Sequence, residues 1–66
     1  MSFSEYKNEV AKELLDYSYT KEEIEKFLNK PKIEKVMRDN YEEYSEQGTA
    51  GTEPIATASC LDMMYE

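Results

Sequence analysis

The sequence predicts an all-α fold, a small three-helix bundle followed by a short fourth C-terminal helix or docking segment. Three segments repeat apolar residues at the spacing of a single helix face. Capping patterns at Ser2 and Thr20 mark helix starts, while Pro31 and Gly48 mark helix boundaries. With 66 residues, the chain buries only about 60% of the surface that its unfolded form exposes. A core of this size gives only marginal stability and leaves little room for the deep pocket of an enzyme. The length therefore favours a binding protein over an enzyme.

The first helix is predicted over residues 3 to 16. Ser2 and Glu5 form a capping-box pattern, in which each side chain bonds the backbone N–H of the other residue. Apolar residues then share one face and charged residues the other, which indicates an amphipathic helix. The apolar face contains Phe3, Tyr6, Val10, Ala11, Leu14, Leu15 and Tyr17.

A second helix is predicted over residues 21 to 29, because Thr20 and Glu23 repeat the capping-box pattern. Pro31 keeps this helix short, since a proline disfavours helical geometry at the residue before it. The predicted core residues of this helix are Ile24, Phe27 and Leu28.

Pro31 is itself suited to the first position of a third helix, predicted over residues 31 to 46, and Gly48 supplies its end. Its apolar side contains Ile33, Val36, Met37, Asn40, Tyr41 and Tyr44. These three helices form the predicted domain, residues 1 to 47.

Residues 48 to 53 form a predicted flexible linker, since they contain two glycines and no large apolar residue. Residues 54 to 66 are then mostly apolar, with Pro54 placed to begin a helix. Wound as a helix, their apolar side chains spread nearly all the way round, which predicts burial in the same chain or against a partner. Cys60 is expected to be a small buried residue.

Charge is distributed unevenly along the chain. Residues 1 to 38 contain eight acids and eight bases, whereas residues 39 to 66 contain seven acids and no base. The formal charge of −7 therefore belongs entirely to the second part. Such a distribution bears on association and choice of partner rather than on fold.

Several functional classes are disfavoured by composition. The sequence has no histidine, which is the usual general base and metal ligand, and an EF-hand pattern fails on glycine spacing. We therefore expect no enzyme activity, no cofactor and no metal. A single cysteine and the absence of a signal peptide or spanning segment favour a cytoplasmic protein without membrane contact.

The preferred hypothesis is a protein-interaction module that docks an acidic helix face on a basic partner surface. An inhibitor or adaptor from a phage or mobile element would use this strategy. Complementary charge would speed and orient such an encounter. The opposing interpretation is a solvated face held by ion pairs of Glu34 with Arg38, Lys35 with Asp39 and Arg38 with Glu42. The predicted contact residues are Asp39, Glu42, Glu43 and Glu46, with the neighbouring Tyr41 and Tyr44.

Two alternatives remain open. The second and third helices could form a helix-turn-helix that contacts nucleic acid through Lys32, Lys35 and Arg38, although the nearby acids would repel phosphates. The chain could instead be a structural subunit of a homo-oligomer. Self-association or docking would then use Ile55, Leu61, Met63, Met64 and Tyr65.

Overall fold

Four α-helices and no strand make up the computed structural model, which describes residues 1 to 65. The helices are α1 (Phe3–Leu15), α2 (Lys21–Leu28), α3 (Pro31–Gln47) and α4 (Pro54–Met64). The prediction of an all-α small helical bundle is therefore confirmed. Glu66, the last residue of the predicted C-terminal segment, lies outside the described residues.

The starts of α1 and α2 follow from their local sequence. The backbone N–H of Glu5 donates to Ser2 Oγ at 3.2 Å, and Glu5 Oε1 accepts from the Ser2 backbone at 3.2 Å. Thr20 and Glu23 repeat this exchange at 2.9 and 3.1 Å. Both predicted capping boxes are present, and each satisfies two backbone donors that a helix start would leave unpaired.

The helix ends differ by one residue from those expected, because apolar periodicity does not specify the last turn. At the end of α3, Gly48 takes the left-handed conformation, with φ at 63°, and its N–H bonds the Tyr44 carbonyl at 2.9 Å. The turn between α1 and α2 contains a non-glycine residue in the same region, Ser18, with φ at 73°.

All four helices contribute to a single hydrophobic core, and α4 packs mainly along α1. The buried apolar residues are Tyr6, Val10, Leu14, Ile24, Phe27, Leu28, Ile33, Met37, Ala58 and Leu61. Leu15 and Tyr17, expected on the apolar face of the first helix, are instead about 40% exposed (40% and 39%). Tyr17 lies beyond the end of α1, so the helical spacing no longer determines where its side chain lies.

The connection from α3 to α4 is more ordered than its composition predicts. A single turn of 3₁₀-helix, Ala50–Thr52, precedes α4, and Thr52 is buried. The helix α4 itself buries one side only, formed by Thr57, Ala58 and Leu61. Cys60 is exposed, so its expected burial is wrong. Because Cys60 is one position from Leu61, it points about 100° away from the buried side.

Candidate functional site

The acidic stripe consists of Asp39, Glu42, Glu43 and Glu46, all of which are exposed on α3. At about 100° per residue, the four positions fall within about 100° of arc. The buried Met37 lies on the opposite side of the helix. The structure therefore places the four predicted acids together on one outward face.

Three members of the acidic stripe have no basic partner within the described residues. Lys35 Nζ lies 3.7 Å from Asp39 Oδ2, and both side chains are mostly exposed. No basic nitrogen in residues 1 to 65 lies within 4.0 Å of a carboxylate of Glu42, Glu43 or Glu46. The expected pairs of Lys35 with Asp39 and of Arg38 with Glu34 are present.

The expected pair of Arg38 with Glu42 is not formed. Arg38 Nη2 instead bonds Glu34 Oε1 at 3.3 Å, and the guanidinium lies 4.5 Å from the ring centre of Phe3. This contact with the ring turns Arg38 toward α1 and away from the acidic stripe.

The position of Glu46 works against the stability of α3. The last turn of α3 contains no base, and Glu46 lies in that turn, at the negative end of the helix dipole. An acid at such a position costs about 0.3–1 kcal/mol, and the cost falls with distance from the end. Glu42 and Glu43 lie one turn earlier, where this effect has largely decayed. Helix stability alone would therefore favour another residue at position 46.

Tyr41 and Tyr44 lie on another side of α3 from the acidic stripe, about 150° around the helix. Both are half-buried, and their ring centres lie 5.4 and 5.8 Å from that of Tyr6. The Tyr41 hydroxyl also donates to the Met1 carbonyl at 2.7 Å. The tyrosines therefore contribute to packing between α3 and α1, and only their outer edges are open to a partner.

The three basic residues of the helix-turn-helix hypothesis are exposed in the first half of α3, but two of them already pair with acids. Lys35 contacts Asp39, and Arg38 contacts Glu34. Lys32 lies along the same face as the acidic stripe, about 21 Å from Glu46 at 1.5 Å per residue. A nucleic acid following this face would meet the unpaired carboxylates.

The five residues of the homo-oligomer hypothesis do not form one surface. Leu61 is fully buried, while Ile55 and Met63 are 60% and 86% exposed. Met64 and Tyr65 are half-buried against the core. The ring centre of Tyr65 lies 5.0 Å from that of Phe27.

A buried polar network joins α1, α3 and the start of α4, and sequence reasoning missed it. The Tyr6 hydroxyl donates to the Thr52 carbonyl at 2.5 Å and lies 2.6 Å from Thr57 Oγ1, which accepts from Asn40 Nδ2 at 3.1 Å. Burial raises the pKa of Tyr6, and the bond to Thr57 opposes this shift. Thr57 precedes the buried Leu61 by four residues. The two residues therefore share a side of α4, but the sequence alone does not show that this side is buried.

A second cluster connects α4 to the start of α2. The Tyr19 hydroxyl donates to Asp62, and the Tyr65 hydroxyl donates to Glu23 Oε2 at 3.2 Å. Asp62 is half-buried. Its bond to Tyr19 is the first cause of a pKa of about 12 for that tyrosine, with burial as the second. Bonds from the Thr20 backbone and hydroxyl lower the pKa of Glu23.

No protein-family model, curated protein or solved structure matches the chain at a significant level. Within residues 1 to 65, no helix has the length and apolar character needed to cross a bilayer. The same range contains no group of three or more acidic or cysteine side chains arranged to hold a metal ion.

Proposed function

We propose that the protein is a non-enzymatic interaction module of the cytoplasm, an inhibitor or adaptor of the phage or mobile-element type, that binds a basic protein surface through its acidic stripe. One observation carries the proposal. Glu42, Glu43 and Glu46 are exposed and unpaired within residues 1 to 65, and Glu46 lies in the last turn of α3, where the helix dipole disfavours a carboxylate. A partner's positive charge would compensate for this placement.

The acidic stripe has the properties of a surface that orients association. Its carboxylates are spread along about two turns of one rigid helix, which presents them without further ordering of the chain. A basic partner surface would gain in association rate from this field, and the gain would weaken as salt rises. Arginines on the partner would match the carboxylates best, because a guanidinium can bond both oxygens at once.

The proposal is tested by capture from an extract of the native host on the immobilised protein. The test variant carries Glu42→Gln, Glu43→Gln and Glu46→Gln. The matched control carries Asp16→Asn, Glu22→Gln and Glu25→Gln, which are exposed acids on other surfaces and change the net charge equally. Urea unfolding of all three proteins checks the fold, and the test variant should be at least as stable as the natural chain.

We expect the control to retain the captured partner and the test variant to lose it. The captured partner should also elute as salt rises, because the contact is electrostatic. Retention of the partner by the test variant would remove the acidic stripe from the interface. If both variants lose the partner equally, capture depends on net charge rather than on the acidic stripe. This result would also contradict the proposal.

A further inference from the structure

An open groove lies between α1 and α2, with a volume of about 370 Å³. Its floor is apolar, and its rim contains three lysines, two asparagines and one glutamate, Glu25, so the rim has a net positive charge. We call it the lysine groove. The floor is formed by Ala11, Leu15, Ile24 and Leu28, and the basic rim by Lys7, Lys12 and Lys21.

The lysines of the rim are only partly compensated by acids of the same chain. Lys12 contacts Glu9 at 3.7 Å, with both side chains largely exposed. Within residues 1 to 65, no carboxylate lies within 4.0 Å of the ammonium of Lys7 or Lys21. Lys21 is also the first residue of α2, where the helix dipole disfavours a base. On the floor, Leu15 is 40% exposed.

A surface with an exposed apolar residue and acidic neighbours lies elsewhere on the molecule. Ile55, at the start of α4, is 60% exposed and lines a depression together with three glutamates. We call this surface the Ile55 patch. Its acids are Glu9, Glu13 and Glu53, of which Glu9 contacts Lys12 of the groove rim in the same chain.

We propose that the lysine groove binds the Ile55 patch of a second copy of the chain. Ile55 would cover the exposed part of Leu15, and the glutamates around it would face the lysines of the rim. This assignment concerns surfaces other than the acidic stripe. Its test is therefore independent of the test of the proposed function.

The two surfaces lie on different sides of α1, which makes the contact heterologous. Glu9 and Glu13 are each two residues from Ala11 and therefore about 160° away around the helix. One contact between two copies leaves a lysine groove free on one and an Ile55 patch free on the other. Association therefore continues beyond two chains unless the rotation closes a ring.

Sedimentation equilibrium of the full chain, from low micromolar to near-millimolar concentration, tests the proposal. At low salt the average mass should rise above the 7.8 kDa of one chain and pass that of two. At about 1 M salt, where the Debye length is about 3 Å, the rise should be strongly reduced. A mass of one chain at every concentration overturns the proposal, as does a rise that salt leaves unchanged.

Variants that reverse the charges of the groove or of the patch test whether these two surfaces form the contact. Lys7→Glu with Lys21→Glu changes the groove, and Glu13→Lys with Glu53→Lys changes the patch. Each variant alone should associate at least about tenfold more weakly, because like charges then face each other. An equimolar mixture should associate again, since each variant retains the surface that the other has lost. A mixture that stays monomeric contradicts the assignment.

The matched control is Lys26→Glu with Lys32→Glu, which changes the net charge as the groove variant does but alters exposed lysines outside the groove. It should associate like the natural chain, and an equal loss would overturn the proposal. If a reversal variant loses its helical circular dichroism, Lys7→Gln with Lys21→Gln and Glu13→Gln with Glu53→Gln replace it. Both milder variants must then weaken association.

Discussion

At the scale of single residues, Tyr6 connects three parts of the chain. Its ring packs against Tyr41 and Tyr44 of α3, and its hydroxyl bonds Thr52 and Thr57 at the start of α4. The residue is fully buried, so these bonds replace contacts with water that the hydroxyl would otherwise make. Tyr6 therefore contributes both apolar area and a specific polar contact.

Tyr6→Phe should lower the free energy of unfolding by about 1–3 kcal/mol, the cost of leaving buried polar groups without their partner. The Thr52 carbonyl would keep only the Thr57 hydroxyl, 3.5 Å away, as a side-chain donor. Tyr41→Phe is the control, because its hydroxyl bond is exposed, and it should cost less than about 1 kcal/mol. Urea unfolding followed by circular dichroism measures both. Equal losses would show that the buried network adds nothing specific.

Tyr19 makes the stability depend on alkaline pH. The bond to Asp62 raises the pKa of Tyr19 from 10.0 to about 12 in the folded chain. The folded state therefore holds this proton more tightly than the unfolded state. The resulting stability is fully present below pH 10 and is lost as pH rises from about 10 to about 12.

Tyr19→Phe should remove this part of the pH dependence, so its stability should fall less steeply across that range than that of the natural chain. Denaturant unfolding at a series of alkaline pH values measures the slope. Tyr17→Phe is the matched control, because the Tyr17 hydroxyl makes no hydrogen bond within residues 1 to 65. Identical slopes for the natural chain and Tyr19→Phe would contradict the assignment.

At the scale of elements, local signals specify the beginnings of α1 and α2 but not the turn between them. The capping boxes involve residues three apart, so the sequence displays them directly. The turn depends on Ser18, which occupies a left-handed conformation that glycine adopts more readily. The neighbouring sequence does not indicate it, because serine is not among the residue types that favour this conformation.

Ser18→Gly should raise the free energy of unfolding by about 0.5–1 kcal/mol, since it removes the steric cost of a positive φ. Ser45→Gly is the matched control, because Ser45 is exposed within α3. There the same substitution should lower stability by about 0.5–1 kcal/mol. Thermal unfolding of both variants checks whether stability rises in Ser18→Gly and falls in Ser45→Gly. A destabilised Ser18→Gly would mean that the left-handed conformation carries no strain.

At the scale of the whole molecule, α4 completes the core that the first three helices begin. Ala58 and Leu61 are fully buried, and α4 packs mainly on α1. At about 0.05–0.15 kcal/mol per residue, a chain of 66 residues has a total stability of about 3–10 kcal/mol. A single large cavity can therefore unfold it.

Leu61→Ala should cost about 2–5 kcal/mol and leave a fraction of the chain unfolded at room temperature. Met63→Ala is the control, since Met63 is 86% exposed, and its effect should stay within about 0.5 kcal/mol. Circular dichroism during urea titration measures both. Similar behaviour of the two variants would show that α4 does not contribute to the core.

The candidate site was predictable in part. Asp39, Glu42, Glu43 and Glu46 share a helix face because of their spacing, which the sequence shows. The same spacing placed Tyr41 and Tyr44 on the apolar side of α3, and their rings pack on Tyr6. Their predicted role beside the acids followed from adjacency in sequence, although consecutive helical residues point about 100° apart.

The sequence by itself determined the helical class, two capped helix starts, the break at Pro31 and the acidic face of α3, because each depends on residues within a few positions of one another. Only the tertiary structure decided which side of α4 is buried. Its apolar residues surround the helix almost evenly, so no periodicity distinguishes Leu61 from Cys60. That choice depends on Tyr6 and Asn40, which meet Thr57 across long separations in the chain.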